Sequence, residues 1–239
     1  MSENDLQRRL GAIRERISAA AKRSGRREED ITLIAVSKTH PAEAIRTAFA
    51  LGVKHFGENR VQEWEGKRGA VEDLRGEWHL IGHLQSNKAA RAAKLFHSVD
   101  SVDDLALAQR LHRARSESGG TRKLRVLIEI RVAPEGTKSG VEIAELPMLA
   151  EKIVGLGNLD FQGLMCIPPF FDEPEKARPY FVSLRELKER LEATLGRKLP
   201  VLSMGMSHDF EFAIEEGATE VRVGTALFGT RMVSPHPIS

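Results

Sequence analysis

The sequence predicts a (β/α)8 barrel. Three observations carry that reading. Eight short apolar runs recur along the chain, each is followed by a helix-forming pattern, and several runs end in polar residues able to bind or react. At 239 residues the chain suits one large domain, read as a single barrel over 1–239 with an N-terminal helix. The main rival is an open doubly wound sheet. No Gly-x-Gly-x-x-Gly follows any run, which disfavours its dinucleotide-binding version.

Leu6, Leu10, Ile13 and Ile17 recur at helical spacing, so 3 to about 23 form an amphipathic helix, with Gly25 as its stop. The first strand, 31–37, is β-branched and runs into Lys38. A helix follows over about 41–51, with Pro41 suited to its first turn. The second strand, 53–57, leads through Glu58 and Asn59 to a helix near 60–73. The third, 78–82, precedes a helix from about 86. The fourth is read at 95–99, with Asp100 or Ser101 capping a helix near 102–116, and 118–121 is a turn. The fifth and longest, LRVLIEIRV at 124–132, gives way to a polar loop at 134–140 and a helix near 142–155. The sixth, 159–167, is ended by Pro168-Pro169, and 175–195 is strongly helical. The seventh, 200–204, is followed by Gly205 and a helix near 207–216. The eighth is 220–224, with a final short helix after Thr225.

Composition narrows the class. A balance of 36 basic against 34 acidic side chains, net +2, is too even for a nucleic-acid or anionic-membrane partner. No apolar run approaches a membrane span, and MSENDLQRRL lacks a signal core. Cys166 is the single cysteine, so no internal disulfide can form. These features describe a soluble, reduced, cytoplasmic protein, and a monomer is expected.

In such a barrel the chemistry sits at the C-terminal strand ends. Standing there are Lys38, Glu58 and Asn59, His83 and Gln85, Lys138, Met165 and Cys166, the Ser203/Gly205/Ser207 group, and the Arg222/Gly224/Thr225 group. A lysine at the tip of an apolar strand is a candidate nucleophilic amine for Schiff-base chemistry, because desolvation lowers its pKa. On that strand alone, a snorkelling lysine is the simpler reading. The loops after strands seven and eight often bind phosphate in barrels. Ser203-Met204-Gly205-Met206-Ser207 and Gly224-Thr225 offer hydroxyls and glycines that let backbone N–H groups approach an anion. Ser207 as a plain helix cap and Gly224 as a plain turn are the alternatives. A lysine facing a phosphate cradle suits a phosphorylated carbonyl compound: a sugar phosphate, or pyridoxal 5′-phosphate (PLP) held on Lys38. Arg222 alternates with Val221 and Val223, which aims it at the barrel mouth, where a guanidinium can partner a pyridine nitrogen. Pairing of Arg222 with Glu220 is the competing reading.

The motifs, taken together, are more specific. Ala35-Val36-Ser37-Lys38, Phe56-Gly57-Glu58-Asn59 with Gln62-Glu63, the run 78–88, Lys138-Ser139-Gly140, Gly163-Leu164-Met165, the run 203–207 and Val221-Arg222-Val223-Gly224-Thr225 with Phe228-Gly229 stand in this order. They resemble the PLP homeostasis protein family, the YggS/PROSC-type PLP-binding proteins, from about 5 to 231. The resemblance implies a barrel like the N-terminal domain of alanine racemase, PLP fold type III. It implies PLP as a Schiff base on Lys38, phosphate around 203–207 and 224–225, and Arg222 at the pyridine nitrogen. Asn59, His83 and Met165 are expected to line the cofactor. The implied role is PLP homeostasis: holding, buffering or supplying PLP to apo-enzymes or free amino acids, without established catalysis.

A weakly active amino-acid racemase is the rival. By resemblance to alanine racemase, it would need a second acid/base group, a tyrosine from a partner's β-domain. The chain ends soon after the eighth strand, and its one tyrosine, Tyr180, is expected in packing. Loss of one acid/base partner costs about 10²–10⁴ in rate, so a carrier is favoured over an efficient enzyme. No catalytic residue is therefore assigned. Lys138 suits a transfer role on the same face, although a solvated loop lysine is the simpler reading. His79, His83 and His97 lack a ligand triad, and no metal is expected.

Overall fold

A computed structural model describes residues 2–118, 122–133 and 139–229. Residues 119–121 of the expected turn and most of the 134–140 loop, Lys138 included, lie outside the described residues. Eight parallel strands close into a barrel in chain order: β1 Thr32–Val36, β2 His55–Glu58, β3 Glu77–Leu80, β4 Ser98–Val102, β5 Leu124–Ile130, β6 Leu159–Cys166, β7 Val201–Met206 and β8 Glu220–Val223. β8 pairs back onto β1, with Ile34 beside Arg222. The helices are α1 Glu3–Arg23, α2 Ala42–Ala50, α3 Val61–Arg68, α4 Ala89–Leu95, α5 Leu105–Glu117, α6 Leu146–Val154, α7 Arg178–Leu195, α8 Phe210–Glu215 and α9 Thr225–Phe228. No helix among the described residues is long and apolar enough to cross a membrane.

Parallel strands must bury both faces, which explains the continuous apolar runs. Phe56, Trp78, Val126, Phe161, Leu202 and Val221 pack into the main apolar core with the helices. α7 contributes Phe181, Leu184, Leu187 and Leu191, at helical spacing. α1 buries Leu6, Leu10, Ile13 and Ile17 and packs against α2, α8 and α9. The bidentate Arg16–Glu211 pair, at 2.9 and 2.6 Å, joins α1 to α8. The N-terminal helix thereby braces the elements that follow β7 and β8.

Strand four is displaced from its expected place. Leu95 closes α4 and Phe96 is buried beside it, so the apolar pair belongs to the helix end. The strand uses Ser98, Asp100 and Ser101, all buried, because the barrel interior supplies their partners. Asp104, not Asp100 or Ser101, caps α5 by accepting the Leu107 N–H at 2.6 Å. α6 starts at Leu146 rather than near 142, because Val141 is still bridged to Ile130. α8 starts at Phe210, after a turn in which Asp209 accepts the Met206 N–H at 2.6 Å. Pro41 stands at the N-cap of α2, one residue before its first turn.

The barrel interior holds a polar cluster. Arg125 donates to Glu220 at 2.5 Å, His79 Nδ1 lies 3.2 Å from Asp100, and His79 Nε2 lies 3.0 Å from His55 Nδ1. The expected alternative of an Arg222–Glu220 pair is thus displaced by Arg125. His79, Asp100 and Glu220 place ligand-type atoms within 4.8 Å of one another, but Arg125 already neutralises Glu220. His83 pairs elsewhere, with Asp103, and His97 Nδ1 accepts the Trp78 N–H at 3.0 Å.

Burial and the neighbouring His79 push His55 down to about 4. The unfolded chain therefore binds a proton on His55 before the folded one does. Stability from keeping His55 neutral is present above its ordinary value of 6.5 and is lost as pH falls from there towards 4. Allowing for partial exposure, the expected loss is on the order of 1–2 kcal/mol. Urea unfolding at pH 7 and pH 4.5 checks this: a His55→Gln protein should lose less stability than wild type over that interval.

Candidate functional site

The described residues surround a cavity of about 700 Å³ at the C-terminal mouth of the barrel. That volume is typical of sites for small cofactors. Lys38, Asn59, His83, Ser207, Arg222, Gly224 and Thr225 line it. Seven of the fourteen strand-end residues named from the sequence therefore meet in one place.

Lys38 reaches the cavity because β1 ends two residues earlier, and Ser37 is fully buried beneath it. The next residue, Thr39, has φ 63°, the left-handed region. A β-branched residue held there costs on the order of 1–3 kcal/mol. The surroundings must hold that bend in place.

Arg222 is buried on the inner face of β8. Its Nη1 donates to the Ser203 hydroxyl at 2.8 Å and its Nη2 to the Cys166 carbonyl at 2.7 Å. Ser203 thus sits behind the cavity wall and orients Arg222. Met165 is fully buried and stands in register between Glu129 and Ser203, so it belongs to the inner face beneath the cavity. Cys166 packs outward in the apolar core, and burial pushes its thiol up to about 12.

The loops after β7 and β8 meet as expected. The Ser207 hydroxyl accepts the N–H of Gly224 at 3.2 Å and of Ala226 at 3.3 Å. It therefore caps no helix of its own. It gathers backbone donors from the start of α9 onto one cavity wall. Gly205 does something different from the expected approach to an anion. At φ 90° it lies under α8, where a Cβ would stand 2.6 Å from that of Ala213 and 2.9 Å from the Phe210 Cα. It lets α8 approach β7 and does not line the cavity.

Several cavity residues escaped the sequence reading. Glu129 lines the wall and accepts from the Ser139 hydroxyl at 3.2 Å. Burial raises its pKa, assisted by Asp103, while Ser139 and Arg222 oppose the rise. A lone acid inside the apolar run 124–132 was its available signal. Asp103 pairs with His83 at 3.1 Å and was hidden by the misplaced fourth strand. Asp209 also faces the cavity, raised by burial against its bond from Met206. Phe170 is 74% exposed at the mouth and stacks on His208 at 5.3 Å. Tyr180 stacks on Phe171 at 5.8 Å and is not among the residues lining the cavity.

An amine on one wall, a serine hydroxyl fixed by two N–H groups on another and a fixed guanidinium between β6 and β8 can together hold a small phosphorylated carbonyl compound. Residues 9–232 match the family model described as alanine racemase, N-terminal domain. The chain is 47% identical to the pyridoxal phosphate homeostasis protein of Aquifex aeolicus over 223 residues, 93% of this chain and 97% of that one. It is similar to the structure of PipY from Synechococcus elongatus PCC7942 with PLP bound, at TM-score 0.83 and 38% identity, covering 94% of this chain and 100% of that one. Alanine racemase of Clostridium difficile 630 shares the fold at TM-score 0.73 and 16% identity, covering 96% of this chain and 57% of that one.

Proposed function

Since this chain belongs to the pyridoxal phosphate homeostasis protein family, we propose that it binds PLP as a Schiff base on Lys38 and serves as a PLP carrier rather than an enzyme. The observation that carries this reading is the convergence of Lys38, the Ser207 hydroxyl and Arg222 on one cavity. PLP supplies an aldehyde that condenses with amines. Lys38 would offer the amine on which that aldehyde is held, and would be left as a free amine once PLP passes to another amine.

The residues divide the work. The Ser207 hydroxyl, which accepts the N–H of Gly224 and Ala226, would offer its own O–H to the phosphate. Arg222 would serve the pyridine nitrogen as a hydrogen-bond donor, which would leave that nitrogen unprotonated and weaken the ring as an electron sink. This favours holding over carbanion chemistry. Met165 and Ser203 act from behind the wall, the first by packing and the second through Arg222. Asn59 and His83 flank the same space.

Absorbance tests the reading. Added PLP should raise a visible band at one equivalent, borohydride should bleach it, and the loaded protein should reactivate an apo-PLP enzyme. Lys38→Ala should lose the band. Steady conversion of an L-amino acid to its D-form, abolished by the same substitution, would favour the racemase instead.

A further inference from the structure

We infer that Glu63 and Lys67, one turn apart on α3, are positioning residues that clamp the chain on both sides of Lys38. This rests on the reading of Lys38 as the PLP-bonding amine. Lys67 Nζ donates to the Ser37 carbonyl at 3.0 Å, to Glu58 Oε1 at 2.7 Å and to Glu63 Oε1 at 3.1 Å. The Ser37 hydroxyl donates to the same Glu58 oxygen at 2.6 Å. On the other side, the Thr39 N–H donates to Glu63 Oε1. The residue before Lys38 and the residue after it are thus tied to one ion-paired unit on the neighbouring helix.

The backbone says why a clamp is needed. Thr39 is the one non-glycine residue with positive φ among the described residues. Left to itself, a threonine relaxes to the extended or right-handed region. That rotation would redirect the chain beside Lys38 and move its side chain within the cavity. Glu63 holds Thr39 in place through the amide that the bend exposes, while Lys67 fixes the carbonyl before it. Glu58 is fully buried against Lys67, so the ammonium cannot shift without stranding that carboxylate. Glu58, Glu63 and Lys67 do not line the cavity and act on a ligand through Lys38 alone.

Two ligands separate positioning from general support. PLP engages both the phosphate wall and Lys38. Pyridoxamine 5′-phosphate engages the wall but carries no aldehyde for Lys38. Glu63 is partly exposed, so Glu63→Ala should fold, with thermal unfolding as the check. The expected result is PLP affinity lowered about tenfold, with pyridoxamine 5′-phosphate affinity within about twofold of wild type. Glu63→Gln keeps an acceptor for Thr39 and should restore PLP binding to within about twofold of wild type. Unchanged PLP affinity in Glu63→Ala, or an equal loss for both ligands, would overturn the clamp. PLP bound by Lys38→Ala as tightly as by wild type would overturn the Lys38 reading and the clamp together.

Discussion

Replacing Arg222 by methionine should lower stability by about 3–5 kcal/mol and weaken PLP binding at least tenfold. The stability term follows from its two hydrogen bonds. Arg222 donates at 2.8 Å to the Ser203 hydroxyl and at 2.7 Å to the Cys166 carbonyl, both inside the barrel. Bonds to a charged group are worth about 1.5–3 kcal/mol each, and methionine leaves both acceptors without that donor. Arg222 also opposes the raised pKa values of Glu129 and Asp209, so its loss should push both carboxyls further up. The binding term follows from the proposed role of Arg222 as donor to the pyridine nitrogen. Urea unfolding and PLP titration measure the two separately. Arg222→Lys should recover part of the stability but not the paired geometry, since an ammonium lacks the planar fork.

Gly163→Ala should cost about 3 kcal/mol or more and lower Tm by roughly 6–12 °C. A Cβ at Gly163 would stand 1.8 Å from the Val201 carbonyl oxygen and 2.7 Å from its carbon. Both are backbone atoms of a strand partner in register, so no side chain can move aside. The β6–β7 pairing must open, and with it the Met165–Ser203 register that backs the cavity. Calorimetry should show the lowered Tm, and PLP affinity should fall with it. A Tm within about 2 °C of wild type would contradict the packing argument.

Most of the barrel was legible because its strands obey simple rules. Runs such as 31–36 and 124–130 are β-branched, are buried on both faces, and are followed by helical spacing. Strand four was the exception, because Leu95 and Phe96 look like strand residues and Asp100 and Ser101 like cap residues in one dimension. Inside the barrel Ser98, Asp100 and Ser101 are satisfied by His79, by one another and by the Gly82 carbonyl. That is tertiary information. The cavity was legible where a strand end coincided with a reactive type, as at Lys38 and Arg222. Ser207 was legible as a hydroxyl at the cavity, but its bridge across two loops was not. Gly205 was singled out for the wrong neighbour, because a glycine in a sequence reports need for space without saying for what. Glu63 stood among the family motifs only as part of Gln62-Glu63, with no role attached, and Lys67 carried no signal, since a glutamate and a lysine four apart on a helix usually form a surface pair. Their link to Lys38 exists only once α3 lies against β1.

Peptide mapping after borohydride reduction reads the proposed bond between Lys38 and PLP directly. Wild-type protein incubated with one equivalent of PLP, reduced and digested should carry a single phosphopyridoxyl group, on the peptide containing Lys38. A stoichiometric adduct on Lys67, Lys138 or any other lysine, with Lys38 unmodified, would contradict it.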